Sequence, residues 1–430
     1  MSFFNAFRSL PSFYIPKMKH KLSFIAILLL GFCFVAVRCI NLRSHPQSEH
    51  KITTWDAFGY YMYLPSIFIY HDVKELKWAP DADAKYGLSG GLFYQAMRLE
   101  SGTYTNKYLG GVAIMQLPFF LAGHAAAATL GAPMDGFSPP YQYALMFGAI
   151  LWAILGLWFL RKILLRFFDD KTTAMVLLFL GLCSNWIQYV SIDAAQSHGF
   201  IFTLYAVMLW LTIIWYDRPR LGLSFAIGLL CGLAVISRPT ELVIICIPLL
   251  WAAGPGHWDF VKKHQQYIWL CCLGGLLGMA PQLVYWQYTT GHPIHDVGSK
   301  WYFLNPWFRV LVGKEKGWFL YTPVSIMMVV GLRMMKDYPF RKAVLTFCLL
   351  NIWIIISWSD WRYGGSYSTR ALVQSYPVFA LALACVVQYF FRHRKSYLLY
   401  TLLLVLTVLN FYQLRIYNSG DAESFSPFLF

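Results

Sequence analysis

Polar residues stand out in this chain because they are scarce: 58% of its 430 residues are hydrophobic and only 13% are charged. One such residue is Asp56, which lies among aromatic residues in Thr53-Thr54-Trp55-Asp56-Ala57-Phe58-Gly59-Tyr60-Tyr61. Apolar surroundings raise the pKa of a carboxyl group, which suits a general base. The alternative interpretation of Asp56 is an N-cap for the helix that would follow.

Basic residues that could hold an anionic group occur at two places. Lys107 precedes Tyr108-Leu109-Gly110-Gly111 at the mouth of an apolar run, where a lysine and a helix N-terminus together could bind a phosphate. Snorkelling to lipid headgroups is the alternative for such a lysine. In the late segment 358–370, Arg362 and Arg370 accompany two glycines and four aromatic residues. That composition suits an anionic headgroup beside a flat ring, although channel lining or packing would use the same residues.

Two short connectors between apolar runs are also unusually polar. Ser191–His198 contains Asp193 and His198, which could line a site or simply cap two helices. Arg238 precedes Pro239, where one helix must stop and another can begin. An arginine at the edge of a membrane is costly enough to indicate a function, unless Glu241 merely neutralises it.

Spacings typical of metal sites are lacking, and so is a glycine-rich loop that could cradle a nucleotide. The Asp81-Ala82-Asp83 triplet resembles a D-x-D motif, but it has no soluble nucleotide-binding domain around it and is interpreted as solvated loop. The sequence therefore predicts neither a metal nor a cofactor.

Apolar runs make up most of the chain, and each is long enough to cross about 30 Å of hydrocarbon as a helix. Strand-like alternation is lacking, and backbone groups in lipid must be satisfied internally, so the runs are predicted to be helices. The first is predicted to be a retained span and not a cleaved signal. The fold class is an all-α polytopic membrane protein, with residues 1–430 as one transmembrane domain. The predicted spans are 22–40, 141–160, 172–190, 199–216, 221–237, 240–253, 267–288, 318–335, 342–358, 372–391 and 396–416.

The distribution of Lys and Arg assigns these runs to sides of the membrane. A net charge of +15 would suggest nucleic acid in a soluble chain, but here the basic residues cluster between apolar runs, as the positive-inside rule requires. The run 109–130 is the ambiguous one, because counting it as a span would put the Arg161–Arg166 segment outside. We therefore predict about eleven spans plus one interfacial or re-entrant helix. The N-terminus is then cytoplasmic, and the first outer loop, 41–140, carries juxtamembrane helices. The predicted inner residues are Arg8, Lys17, Lys19, Lys21, Arg161, Lys162, Arg166, Lys171, Arg218, Arg220, Lys262, Lys263, Arg333, Lys336, Arg341, Lys342, Arg392, Arg394 and Lys395.

The order of these features resembles the GT-C superfamily of polyprenyl-phosphate-sugar glycosyltransferases, in particular its protein mannosyltransferase and aminoarabinose transferase branch. The features are a first span, a long outer loop with an early Asp, a polar-headed interfacial helix, many spans and a late Trp361-x-Tyr363-Gly364-Gly365-Ser366-x-x-x-Arg370 segment. By this resemblance Asp56 is the catalytic base, and Lys107, Arg362 and Arg370 hold the donor phosphate. The residues expected to bind substrate are Tyr60, Tyr61, Asp193, His198, Arg238 and Tyr363.

The resemblance implies an inverting transfer of a sugar from a polyprenyl-phosphate donor to a hydroxyl of a glycan, lipid or protein acceptor. It also implies a multi-pass protein among the lipids of a bacterial inner membrane, with its active face periplasmic. Ala57 follows Asp56 where many family members carry paired acids, which weakens any metal requirement. The family's large soluble C-terminal domains are not expected in this chain.

The main alternative function is a polytopic transporter or lipid flippase. Such proteins often contain inverted repeats and interrupted helices at matching places in their two halves. No internal repeat is evident in this sequence, and the polar residues crowd one predicted face instead of the midplane.

Overall fold

The computed structural model of the protein describes residues 20–254 and 262–419. The longer helices are α1 (Lys21–Ser44), α2 (Gly111–Leu130), α3 (Pro139–Phe167), α4 (Asp170–Leu182), α5 (Ser197–Asp217), α6 (Leu221–Val235), α7 (Gln265–Thr290), α8 (Val324–Met334), α9 (Arg341–Ile356), α10 (Tyr376–Arg392) and α11 (Ser396–Asn418). Short α-helices occupy Asp56–Tyr61, Tyr63–Phe68, Ala79–Tyr86, Trp186–Ser191, Cys246–Leu250, Arg309–Val312 and Trp318–Tyr321. Turns of 3₁₀-helix occupy Gln47–Glu49, Pro239–Ile245 and Arg370–Ser375. Of the basic residues predicted to be cytoplasmic, Arg8, Lys17 and Lys19 lie outside the described residues.

Within the described residues, seven helices are long and apolar enough to cross a membrane, judged by length and composition. The all-α class is confirmed, and these helices indicate a multi-pass membrane protein. Three further apolar helices, Leu221–Val235, Pro239–Leu250 and Val324–Met334, are shorter. The seven are Lys21–Ser44, Gly111–Leu130, Pro139–Phe167, Ser197–Asp217, Gln265–Thr290, Arg370–Arg392 and Ser396–Asn418.

Two predicted spans are broken where polar or proline residues interrupt the helical ladder. The run 172–190 divides into α4 and the helix Trp186–Ser191, because Ser184 Oγ donates to the carbonyl of Leu180 and Asn185 accepts from the Tyr376 hydroxyl, each at 2.6 Å. The run 318–335 is interrupted before α8 at Pro323, which has no N–H to donate. The interruptions provide polar groups inside an otherwise apolar bundle.

The structure also contains a two-stranded antiparallel sheet that the sequence pattern did not predict. Ala96–Arg98 pairs with Tyr104–Asn106 in the first outer loop, with Met97 opposite Thr105. Strands of three residues are too short to display alternation, which is why pattern reading missed them. The hairpin delivers Lys107 to a defined position, because its backbone N–H donates to the carbonyl of Gln95 at 2.9 Å.

Contacts between helix termini define two ends of the bundle. At the end that we call the basic end, backbone N–H groups of Leu22 and Ser23 donate to the Asp170 carboxylate at 2.8 and 3.1 Å. Arg166 pairs there with Asp217 at 3.0 Å. At the other, which we call the polar end, Arg38 of α1 donates to the carbonyl of Ile192. The connectors after α1 and before α5 therefore meet at the polar end.

Both termini of α2 lie at the polar end. Its first residue, Gly111, donates its N–H to the carbonyl of Ile236, just beyond the C-terminus of α6, at 2.8 Å. After its last turn, Asp135 accepts from Tyr86 and Lys85 of the first outer loop at 2.5 and 3.0 Å. These contacts favour the predicted interfacial placement of α2, although its length alone would let it cross.

The placement of α2 can be tested by cysteine labelling. Ser101→Cys precedes the helix and Met134→Cys follows it, and both native side chains are exposed. We expect a membrane-impermeant maleimide to label both from the same side of sealed vesicles and to label Lys336→Cys, at the basic end, only from the opposite side. Labelling of Ser101→Cys and Met134→Cys from opposite sides would show that α2 crosses.

Candidate functional site

A cavity of about 1220 Å³ lies at the polar end. Its walls come from the end of α1, the first outer loop, the connectors before α5 and after α6, the segment after α7, the ends of α9 and α11, and the late segment 358–370. The structure thus brings most of the sequence-predicted residues together from distant parts of the chain. Those that line the cavity are Asp56, Tyr60, Lys107, Asp193, His198, Arg238, Tyr363 and Arg370.

The carboxylate of Asp56 is surrounded by three donors. Its Oδ1 accepts hydrogen bonds from the hydroxyls of Tyr94 and Tyr108 at 2.8 and 2.5 Å. Its Oδ2 accepts from Nη2 of Arg370 at 2.5 Å. Trp55 occupies the N-cap position and Asp56 is the first residue of the helix, so the N-cap interpretation of Asp56 is wrong. Tyr94 and Tyr108 were missed by sequence reasoning, because tyrosines are frequent throughout this chain.

The electrostatic environment of Asp56 differs from the one that its apolar neighbours predicted. Burial does raise the pKa of this carboxyl group, but the Arg370 guanidinium and the hydrogen bonds from Tyr108 and Tyr94 outweigh burial and lower the pKa to about 2. The prediction of a raised pKa is therefore wrong. Its cause lies 314 residues away in the chain, where no local pattern could reveal it.

Backbone strain next to Asp56 is held by local contacts. Trp55 has φ 54° and ψ −127°, a conformation that costs a non-glycine residue about 1–3 kcal/mol. Its N–H donates to the carbonyl of Leu88 at 2.9 Å, and its carbonyl accepts from Gln95 Nε2 at 3.1 Å. The indole lies over Gly90, where a Cβ would approach the ring to 2.5 Å. The strained residue aims the first turn of Asp56–Tyr61 at the cavity.

Arg370 begins the 3₁₀ turn that precedes α10, and its side chain is 11% exposed. Besides Asp56, it donates through Nη1 to Oε1 of Gln196 at 3.0 Å. Its Nε is buried and has no hydrogen-bond partner among the described residues. Arg370 therefore retains donor capacity while it is paired with Asp56.

Besides Lys51, which donates to the carbonyl of Tyr86, three further cations line the cavity. Lys107 Nζ has no hydrogen bond or ion pair with any described residue, and Arg238 Nε lies 3.8 Å from Oε1 of Glu241. The third, Arg38, was not singled out from the sequence, although an arginine inside the first apolar run is itself a functional signal. It is 2% exposed, and its Nε has no partner within the described part of the chain. An anionic ligand in the cavity would have several donors to meet.

The remaining predicted residues in the cavity occupy its walls. Asp193 Oδ2 accepts from Gln188 at 3.0 Å. Burial raises the pKa of the Asp193 carboxyl group and outweighs this hydrogen bond and the nearby arginines, which lower it. Tyr60 packs edge-on against Tyr108, with ring centroids 4.8 Å apart. Tyr363 donates its hydroxyl to the carbonyl of Ile355 at 2.6 Å, so only its ring is available to a ligand.

Tyr61 and Arg362, both predicted to contact substrate or donor, do not line the cavity. Tyr61 is fully buried and donates to the carbonyl of Gly136 at 2.6 Å, because successive residues of a helix point about 100° apart. Arg362 has a largely exposed side chain and pairs with Glu315 at 3.1 Å. Their positions support packing for the tyrosine and a surface ion pair for the arginine.

The Asp81–Asp83 triplet lies in the helix Ala79–Tyr86 and not in a loop as predicted. Asp83 accepts from the backbone N–H and the hydroxyl of Ser89, each at 2.6 Å, so it secures a turn outside the cavity. Within residues 20–254 and 262–419, no group of three His, Cys, Asp or Glu side chains could hold a metal ion.

No protein-family model matches the chain, and no curated protein matches it in sequence.

The ion pair between Asp56 and Arg370 predicts a measurable stability pattern. Asp56→Asn leaves a buried guanidinium unpaired, so we expect the free energy of unfolding to fall by about 3 kcal/mol in detergent. The double variant Asp56→Asn/Arg370→Gln should lose less unfolding free energy than the two single variants lose in sum, because neither charge is then left without a partner. As a control, Arg166→Gln breaks an exposed pair and should cost less than about 1 kcal/mol.

The pH dependence of this effect follows from the lowered pKa of Asp56. Its ionised form stabilises the fold at any pH above the unfolded pKa of about 3.9, and the contribution is lost as the pH falls towards 2. The difference in unfolding free energy between wild type and Asp56→Asn should thus be equal at pH 5 and pH 8. A difference that fades between those values would contradict the assigned ion pair.

Proposed function

We propose that the protein is a membrane glycosyltransferase of GT-C type that moves a sugar from a polyprenyl-phosphate donor to an acceptor hydroxyl. The observation that carries this proposal is the Asp56 carboxylate, ionised and held beside cations in one cavity at the polar end of an apolar bundle. A reaction that releases a lipid phosphate needs both a site for that anion and a group that accepts a proton.

The proposed topology follows from the directions in which the helices run between the two ends. We propose that eleven segments cross from one end to the other and that α2 lies along the polar face. The polar end is proposed to be the outer, periplasmic face of a bacterial inner membrane, because basic residues predicted to be cytoplasmic, such as Arg161 and Arg166, contact groups at the other end. The eleven segments are α1, α3, α4 with Trp186–Ser191, α5, α6, Pro239–Leu250, α7, Trp318–Met334, α9, Arg370–Arg392 and α11.

The donor phosphate is proposed to bind between Lys107 and Arg370. Lys107 has no competing partner among the described residues, and Arg370, which lines the same cavity, has a buried Nε without a partner in that part of the chain. Arg238 and Arg38 add positive charge around them. Donors already positioned for a developing negative charge are often the largest catalytic contribution, on the order of 3 kcal/mol each.

Asp56 is proposed to act as the general base once the phosphate has drawn Arg370 away from it. While Arg370 and two tyrosines donate to it, the carboxylate is a poor proton acceptor, as its low pKa indicates. A phosphate that competes for Arg370 would remove the main opposing charge and raise the pKa. Donor binding would then precede deprotonation of the acceptor.

The bonds change in one displacement. The acceptor O–H bond breaks, its proton passes to Asp56, and the acceptor oxygen forms a bond to the anomeric carbon. The bond from that carbon to the phosphate oxygen breaks, and the electron pair leaves with the polyprenyl phosphate. Attack from the face opposite the leaving group inverts the anomeric configuration. The rings of Tyr60 and Tyr363 offer flat surfaces beside the sugar.

The transfer proposal predicts the effect of neutralising Asp56. Asp56→Asn should lower kcat for sugar transfer by about 10²–10⁴-fold, because the general base is lost. The measurement uses purified protein in proteoliposomes with a panel of synthetic polyprenyl-phosphate sugars. Asp81→Asn, an exposed carboxylate outside the cavity, should leave kcat unchanged. Full activity of Asp56→Asn would refute the base assignment, and flipping of the lipid without any glycosyl product would favour the flippase.

The phosphate site predicts a separate result. Lys107→Ala should raise the KM for the donor about tenfold and leave the KM for the acceptor unchanged, since one charge-assisted hydrogen bond is lost. Arg362→Ala, which removes a cation of the same outer face but outside the cavity, should change neither value. Equal effects of Lys107→Ala on both substrates would argue against phosphate binding at this residue.

A further inference from the structure

A buried chain of hydrogen bonds leads away from the cavity, and the transfer steps above do not use it. His198 lines the cavity, and its Nδ1 lies 2.7 Å from Oε1 of Gln374. Nε2 of Gln374 donates to Oε1 of Glu241 at 2.9 Å. All three side chains are at most 2% exposed. In such a series of buried hydrogen bonds, the partners of each group determine whether that group donates or accepts.

Glu241 sets the direction of the chain. Its carboxylate also accepts from the hydroxyl of Tyr205 and, at 3.1 Å, from that of Thr240, while Arg238 Nε lies 3.8 Å away. With donors on both oxygens, the carboxylate can only accept. Gln374 must therefore turn its NH₂ group to Glu241 and its carbonyl to His198.

This direction determines the tautomer of His198. An amide carbonyl has no proton to give, so the hydrogen between the two side chains belongs to Nδ1 of the imidazole. In the neutral ring the lone pair is then on Nε2, which has no hydrogen-bond partner among the described residues. Tyr189 packs edge-on against the ring, with centroids 5.4 Å apart, and restricts its rotation.

We propose that Nε2 of His198 is a fixed hydrogen-bond acceptor that orients a hydroxyl group of the substrate. The cations of the cavity can only donate, and the acceptors that line it besides Asp56 include the carboxylates of Glu49, Asp193, Asp296 and Asp360. Nε2 of His198 differs from these carboxylates because it is a neutral acceptor whose position is fixed by Gln374. A sugar hydroxyl that needs an acceptor would find one at Nε2. His198 is thus a positioning residue, and Gln374 and Glu241 act through it. The identity of the ligand as a sugar rests on the proposed function.

The tautomer is tested without any ligand. The full chain, labelled with ¹⁵N-histidine in nanodiscs, is compared with His198→Gln to find the signals of this one ring. We expect a neutral ring protonated at Nδ1. Gln374→Leu should lose that preference, whereas Glu241→Gln should keep it, because a glutamine carbonyl can still accept from Gln374. A wild-type ring protonated at Nε2, or at both nitrogens, overturns the inference.

Kinetic measurements test whether Nε2 of His198 orients a hydroxyl group of the substrate. His198→Ala should lower kcat/KM for sugar transfer about tenfold, and His198→Gln should recover part of it through its carbonyl. A rise confined to the donor KM assigns the hydroxyl to the donor sugar, and one confined to the acceptor KM assigns it to the acceptor. Wild-type kinetics in His198→Ala would overturn the positioning role and leave the transferase proposal intact. Absence of transfer by the wild type would refute the transferase, while the tautomer would still be measurable.

Discussion

The ion pair between Asp56 and Arg370 is the constraint on which the polar end of this protein depends. It joins the first outer loop to the segment before α10, and Tyr94, Tyr108 and Gln196 provide further hydrogen bonds to the two charged groups. Burying two charges is expensive unless they stay paired and hydrogen-bonded. The loops that carry them are therefore obliged to meet, and the strained backbone at Trp55 is one cost of bringing the carboxylate into line.

The same requirement explains why the described helices are interrupted at the polar end. Irregular backbone at membrane depth is tolerated where it lines a cavity or is buried in protein. The breaks after α4 and α6, and the 3₁₀ turn at Arg370, all occur next to the cavity or its supporting hydrogen bonds. Asn185 receives the hydroxyl of Tyr376 at one break, and Glu241 gathers Tyr205, Thr240 and Gln374 at another. Polar side chains thus replace the helical hydrogen bonds that the breaks remove.

Pairing with Arg370 gives Asp56 two different properties in the proposed reaction. In the resting cavity the carboxylate is stabilised as an anion and is a weak base. A phosphate that engages Arg370 would convert it into a better base without moving it far. The same arginine would then neutralise the leaving group, so that one residue couples donor binding to proton removal. His198 supplies a complementary neutral acceptor, since its partners Gln374 and Glu241 lie behind the cavity and leave Nε2 to the substrate.

The sequence alone determined the helical class, because apolar runs in lipid have few other solutions. It also indicated that five polar residues lie close together, because they occur in connectors on one predicted side of the membrane. These residues are Asp56, Lys107, His198, Arg238 and Arg370. The sequence could not show that Arg370 reaches Asp56, so it predicted the pKa of Asp56 in the wrong direction. It could not distinguish Tyr60 from Tyr61 or separate Arg362 from Arg370, because side-chain direction depends on the local turn. Those outcomes were decided by tertiary contacts between residues up to 314 positions apart, which leave no periodicity in the chain.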